Sequence, residues 1–184
     1  ARGAYEGCCL VAAAYPGTPS TEILEAMPQY EEIDSRWASN EKVALEIASG
    51  ASIGGVRALA AMKHVGLNVA ADPLLTMAYI GALGGLVVVT ADDPGCHSSQ
   101  NEQDNRLFAP LAKILMLEPS DSQECLDFTQ LGLELSERYD TPVLLRTTTR
   151  VCHSKGLVEM GQRMAEAPVK PYERNARKNA MLPA

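Results

Sequence analysis

The sequence predicts an α/β domain, a doubly wound, mainly parallel six-stranded sheet with helices on both faces. Three observations lead there. Short β-branched or alanine-rich apolar runs alternate with longer stretches of helical period. The run Leu-Val-Val-Val-Thr-Ala at 86–91 is almost wholly apolar, as a parallel strand covered on both faces requires. The connections place Pro, Gly and Asn where turns and helix caps need them.

Residues 10–15 read as the first strand. Pro16-Gly17-Thr18-Pro19 is the turn, with Thr18 as N-cap and Pro19 at the first position of a helix to about 27. Residues 32–38 form a weaker second strand, and Asn40 caps a helix running to about 53. The third strand spans 57–62 and is followed by a polar loop, Lys63-His64-Val65-Gly66-Leu67-Asn68. Pro73 opens a helix ending near 83, and the fourth strand, 86–91, follows Gly84-Gly85. Residues 92–106 are polar without hydrophobic period, a loop. A short strand at 114–117, a helix at 122–138 and a last strand at 142–147 complete the unit. The pattern stops after about 155, so 1–155 is the folded domain and 156–184 a linker toward a following domain.

Composition excludes several classes. Sixteen Lys and Arg against 23 Asp and Glu leave a net charge of −7, without the basic face of a nucleic-acid binder. No apolar run approaches the roughly 18 residues that span a bilayer. Cys8, Cys9, Cys96, Cys125 and Cys152 are odd in number and lack C-x-x-C spacing, so no metal site is expected in this chain. Scattered thiols in an acidic chain suit a reducing cytoplasm, with Cys8 and Cys9 as packing residues. The first residues, with neither an apolar signal core nor a methionine, read as the middle of a longer protein.

In doubly wound sheets ligands sit outside the carboxyl ends of the strands, so the loops near Gly17, Asn40, His64 and His97 matter. Thr18 puts a hydroxyl on that edge, either for a ligand or simply as a cap. The short Gly-containing turn has neither G-x-G-x-x-G nor a Walker lysine. Glu41 shares a helix face with Ala44, Leu45 and Ala48 and is partly desolvated there, or else merely favours the helix dipole. Glu46 stands on another stripe, where it can pair with Lys42. His64 is either a donor to an anionic substrate or a satisfied structural histidine. The polar loop after the best strand suits substrate contacts. A Cys96–His97 nucleophilic pair is disfavoured because adjacent side chains point apart.

Together the stretches AAAYPGTPSTEILE, NEKVALEIASGAS, MKHVGLNVAADPL, GGLVVVTADDPGCHSSQNEQDNR and TPVLLRTTTRVCHS resemble the alpha subunits of indolepyruvate ferredoxin oxidoreductases. These belong to the thiamine-diphosphate-dependent 2-oxoacid:ferredoxin oxidoreductase superfamily. The resemblance covers residues 1 to about 155 in order and implies its pyrimidine-binding domain. It implies that Glu41, opening the second helix of its motif, hydrogen-bonds N1′ of the cofactor's aminopyrimidine. A carboxyl group there stabilises the imino tautomer, whose 4′ nitrogen takes the proton from thiazolium C2. It places Gly17 and Thr18 near the cofactor, and His64, Asn68 and Gln100 near the substrate. Gln100 stands where pyruvate-specific relatives usually carry an arginine for the substrate carboxylate.

The same resemblance implies oxidative decarboxylation of arylpyruvates, indolepyruvate above all, to acyl-coenzyme A, with electrons passing through an iron–sulfur cluster to ferredoxin. The chain has no G-D-G and no clustered cysteines. The magnesium-diphosphate anchor and the cluster are therefore expected in other domains of the alpha subunit, with a beta subunit completing an oligomer. Two alternatives stay open at this point: the small pyrimidine-binding subunit of a thiamine-diphosphate 2-oxoacid decarboxylase, and a non-catalytic doubly wound binding domain.

Overall fold

A computed structural model describes residues 1–164 and 169–180. Six strands, β1 (Val11–Ala14), β2 (Asp34–Trp37), β3 (Ala58–Lys63), β4 (Leu86–Asp92), β5 (Leu115–Leu117) and β6 (Val143–Thr148), pair in parallel throughout. Their order is β2-β1-β3-β4-β6-β5. The helices among the described residues are α1 (Arg2–Glu6), α2 (Thr21–Glu25), α3 (Glu41–Ile53), α4 (His64–Val69), α5 (Ala71–Ile80), α6 (Phe108–Ala112), α7 (Ser122–Tyr139), α8 (Thr149–Cys152) and α9 (Ala176–Asn179). No helix among them is long and apolar enough to cross a membrane.

The period of two along the strands builds two cores. Ala58, Ala60 and Met62 of β3, with Val88 and Leu144, pack under Leu45, Leu67, Leu74 and Met77 of α3, α4 and α5. The alternate residues Leu59, Ala61, Val87, Val89 and Leu145 face Ala4, Leu24 and Leu133 of α1, α2 and α7. The six-stranded doubly wound sheet is therefore as expected, and strand ends fall within two residues of the expected positions.

Several helical boundaries differ from expectation, each for a local reason. The first connecting helix begins at Thr21, not Pro19, and its N-cap is Ser20 rather than Thr18. The Ser20 N–H donates to the Gly17 carbonyl at 2.8 Å, closing a turn across the cis Thr18–Pro19 peptide before the helix begins. Residues 64–69, expected as loop, are helical because His64, Gly66 and Leu67 bury against the sheet. Here tertiary burial overrides weak local propensity. α5 begins two residues before Pro73, which sits in the first turn, where its missing N–H has no intrahelical role. It ends at Gly81, whose φ of +88° leaves the helical region. Lys42 bonds Asp72 at 2.8 Å rather than pairing with Glu46. α1, α6 and α8 are short helices that the hydrophobic pattern did not reveal.

Beyond residue 155 the described chain is tied to the domain. The Met164 N–H donates to the Glu6 carbonyl at 3.0 Å, and the Lys170 N–H to that of Gly55 at 3.1 Å. Residues 165–168 and 181–184 of the expected linker lie outside the described residues. Cys8 and Cys9 are buried. Burial pushes the Cys9 thiol up to about 12, which suits a packing role.

Two glycines predict opposite responses to the same substitution. A Cβ at Gly84 would stand 2.5 Å from the Val56 carbonyl carbon and 2.6 Å from its nitrogen, both backbone atoms. At Gly50, exposed in α3, it would meet nothing within 4 Å. In urea unfolding, Gly84→Ala should cost about 1–3 kcal/mol or more, whereas Gly50→Ala should stabilise by roughly 0.5–1 kcal/mol.

Candidate functional site

The winding direction reverses at β1 and β3. The chain steps from β1 outward to β2, then recrosses β1 to form β3 and continues through β4 on the other side. The helices that follow β1 and β3, α2 and α4, lie on opposite faces of the sheet and leave a crevice outside the carboxyl ends of those strands. The loop at 15–19 leaves β1 at this point, and Lys63 ends β3. A Cβ at Gly17 would lie 2.9 Å from Lys63 Cδ and 3.1 Å from Cγ, so the lysine stem runs across the glycine. Thr18 beside it is exposed, its hydroxyl free of hydrogen bonds to the described residues. The Gly17 N–H donates to Thr21 Oγ1 at 2.9 Å, and the Ser20 hydroxyl to the Gly17 carbonyl at 2.8 Å. The loop is thus held from within while Thr18 points outward.

Glu41 reaches the same edge from the far side. Asn40 is its cap as expected, the side-chain oxygen accepting from the Val43 N–H at 2.9 Å. Glu41 is half-buried and makes no hydrogen bond or ion pair with the described residues, whereas Glu46 is exposed. Its carboxyl group lies against α4 at Gly66, where a Cβ would come 2.5 Å from Oε1 and 2.6 Å from Cγ. Any side chain at residue 66 would occupy the place of the carboxylate.

The loop after β4 is fastened at three points. Asp93 accepts from the Ser98 N–H at 2.7 Å, the Ser99 hydroxyl at 2.7 Å and the Thr149 hydroxyl at 2.8 Å. Burial alone would raise the Asp93 carboxyl, but these donors outweigh it and hold the group well below the usual carboxylate range. Asp92 accepts from the Asn105 N–H at 3.0 Å and from Arg146 Nε at 2.9 Å, and Arg146 also pairs with Glu118. Burial raises the Asp92 carboxyl, against the pull of those two donors. The third fastening is Gln103, whose amide nitrogen donates to the His64 carbonyl at 3.0 Å.

The expected substrate residues occupy unequal places. His64 is fully buried, and its Nε2 lies 2.9 Å from the Asn101 carbonyl. Asn68 is exposed but exchanges two hydrogen bonds with the Gln103 amide, at 2.9 and 3.0 Å. Gln100 is exposed and unbonded among the described residues. The Cys96 thiol donates to the Ser99 carbonyl at 3.1 Å and not to His97. No group of three or more His, Cys, Asp or Glu among the described residues is arranged to hold a metal ion.

Residues 2–183 match the family described as pyruvate flavodoxin/ferredoxin oxidoreductase, thiamine diP-bdg. The chain belongs to this family. Among curated relatives of the thiamine-diphosphate-binding family it is 48% identical to indolepyruvate oxidoreductase subunit IorA of Archaeoglobus fulgidus, covering 100% of this chain and 31% of the relative. It is 50% identical to the same-named subunit of Methanothermobacter thermautotrophicus, covering 100% and 30%. With that of Pyrococcus horikoshii it shares 52% identity, covering 88% and 25%. The chain thus spans under a third of the length of these relatives. The fold is that of a 2-oxoglutarate:ferredoxin oxidoreductase from Magnetococcus marinus, at a TM-score of 0.71 and 23% identity, covering 82% of this chain and 28% of that one. A benzoylformate decarboxylase from Polynucleobacter necessarius superposes at 0.66 with 14% identity, covering 89% and 32%.

Sequence reasoning within this family missed Lys63, Gly66, Asp93 and Asn105 as parts of the edge. Gly66 carried one signal, a glycine among larger residues directly after a strand, and its neighbour Glu41 is 25 positions away. Gly66→Ala should push the Glu41 carboxylate off α4. A crystal structure of the variant, or the ¹³C resonance of the Glu41 carboxyl group, would register the displacement, and an unmoved resonance would refute it.

Asp93 predicts a pH dependence. A carboxyl group depressed in the folded state stabilises it above the unfolded value of about 3.9. That contribution is lost as pH falls from there through the folded value. Asp93→Asn should cost roughly 1–3 kcal/mol at pH 7, and its stability should fall less steeply than wild type below about pH 4. Denaturant titrations at pH 7, 4 and 3 test both statements.

Proposed function

We propose that this chain forms the aminopyrimidine side of a thiamine-diphosphate site in a 2-oxoacid:ferredoxin oxidoreductase acting on arylpyruvates, with indolepyruvate as the substrate. The observation that carries this reading is the Glu41 carboxylate, half-buried at the ligand edge, without a partner among the described residues and seated against a position that only glycine leaves open. The donor set suits the cofactor, since a ring nitrogen that shares a proton with a carboxyl group needs that group directed and otherwise uncommitted. When bound, the cofactor supplies an acidic C2–H and a ring that accepts electrons from the substrate carbon.

In this reading Glu41 holds a proton at N1′, and Gly17 and Thr18 flank the ring from the β1 side. Gln100 lines the substrate side from the exposed face of its loop. His64 and Asn68 act through the loop they hold, His64 through Asn101 and Asn68 through Gln103. The arylpyruvate assignment draws on the names of the most similar relatives and on glutamine at residue 100. A bulky aromatic acid gains binding energy by burying its ring, about 25 cal/mol per Å² of apolar surface. Magnesium and the diphosphate contacts, an iron–sulfur cluster and the coenzyme A site are assigned to parts of the protein beyond this chain. Ferredoxin and a beta subunit are its partners, in a cytoplasmic oligomer.

In the full-length protein assembled with its partners, Glu41→Gln should slow exchange of the cofactor's C2 hydrogen with deuterium by roughly 10²–10⁴-fold, the size of a lost acid–base contribution. Glu46→Gln should leave that rate unchanged. NMR of the quenched cofactor measures it directly, and equal rates in wild type and Glu41→Gln would remove Glu41 from this role.

A further inference from the structure

We propose that the Lys63 ammonium group fixes the carboxylate of the substrate. This rests on the 2-oxoacid reading above and names a residue that reading left without a role. The position comes first. Lys63 ends β3 at the reversal of winding, and its stem crosses Gly17, next to Thr18. It is also the N-cap of α4, three residues before the Gly66 that bears the Glu41 carboxylate. The stem of Lys63 thus lies on the β1 loop and its ammonium on the loop after β4, at the ligand edge that Glu41 also reaches.

The charge balance of that edge supports the assignment. Arg36 is paired with Asp34, Lys42 with Asp72, Arg106 with Asp104, and Arg146 with Asp92 and Glu118. Lys63 has no carboxylate among the described residues and donates only to the Ser98 carbonyl, at 2.7 Å. An ammonium group has three donors, so two remain for a ligand. Arg150, also without a carboxylate partner among the described residues, follows β6, two strands from β3.

The lysine is aimed as well as uncommitted. Its acceptor belongs to a residue whose N–H is held by Asp93 at 2.7 Å, so the loop fastened by Asp93 directs the ammonium. A 2-oxo acid entering beside Glu41 brings a second negative charge to the same crevice. Like charges close together are costly, and an adjacent cation offsets that repulsion. A charge-assisted hydrogen bond from Lys63 also orients the acid, which the neutral amide of Gln100 does less strongly.

The test uses the full-length assembled enzyme and two unreactive probes of one shape, 3-(indol-3-yl)propionate and its primary amide, with affinities from calorimetry. Wild type should favour the acid. Lys63→Met should reduce the acid/amide preference by about ten- to a hundredfold, Lys63→Gln should do the same, and Lys63→Arg should retain most of it. KM for indolepyruvate should rise in the first two variants while C2 hydrogen exchange stays as in wild type. An unchanged acid/amide ratio in Lys63→Met, or an equal loss for both probes without recovery in Lys63→Arg, overturns the proposal and leaves the cofactor reading standing. If wild type binds neither probe and turns over no 2-oxo acid, both fall together.

Discussion

The side chain of Asn105 ties together parts of the ligand edge that the sheet alone leaves separate. It has no exposure to solvent. Its amide nitrogen donates to the Thr90 hydroxyl of β4 at 2.7 Å and to the His64 carbonyl of α4 at 3.1 Å. Its oxygen accepts from Gln103 at 2.7 Å, and its backbone N–H reaches Asp92 at 3.0 Å. Both kinds of amide group are thus used, as burial demands. Ordering a long polar loop costs on the order of 1–2 kcal/mol per residue in backbone entropy, and this loop offers little apolar surface in return. Buried hydrogen bonds are what offset that cost here. The Asn101 carbonyl can only accept, so His64 Nε2 carries the hydrogen of their contact. The histidine therefore joins α4 to the loop by both its ring and its backbone.

The ion pairs sort into two kinds with different consequences. Arg146–Asp92 and Arg57–Glu137 are buried or nearly so, at 2.9 and 2.8 Å. Burial raises the Glu137 carboxyl, but Arg57 outweighs it and leaves the group lowered. Removing one member of such a pair strands a charge, although the intact pair adds little net stability. They act as registers: Arg146 joins β6 to the end of β4, and Arg57 joins the start of β3 to α7. The exposed pairs Arg36–Asp34, Lys42–Asp72 and Arg106–Asp104 contribute little to stability. They nevertheless neutralise Arg36, Lys42 and Arg106, whereas Lys63 and Glu41 have no charged partner among the described residues.

What could be read beforehand divides by the range of the interaction involved. The cap at Asn40 and the apolar face of α3 are local patterns, so the contrast between Glu41 and Glu46 was visible in a run of seven residues. The alternation of strands and helices carried the sheet for the same reason. α4 was not visible because His-Val-Gly-Leu-Asn-Val has weak helical propensity and folds through the burial of Leu67 and His64. The places of Lys63 and Gly66 depend on which side chain crosses which glycine, at separations of 46 and 25 residues. No spacing rule reaches so far. The loop at 92–106 could be recognised as polar and ligand-facing, but the bond from Asp93 to Thr149 joins two connections that only the sheet order brings together.

A carboxylate left half-buried and unpaired is unfavourable for a domain considered alone, because partial desolvation is not repaid by a donor. Glu41 is held in that state by features that offer no compensation of their own: a cap at Asn40 and an absent side chain at Gly66. The arrangement becomes favourable once a donor from a ligand covers the carboxylate. A ring nitrogen can do so, but this edge is poorly equipped for a diphosphate. Arg36, Lys42, Arg106 and Arg146 are already paired, and no cluster among the described residues suits a metal ion. One end of the proposed cofactor is therefore matched by this chain and the other is not. The two demands are also chemically opposed, since the ring needs a partly desolvated acid while the diphosphate needs concentrated positive charge. In the proposed reading, placing them on different domains would let each environment be built without weakening the other.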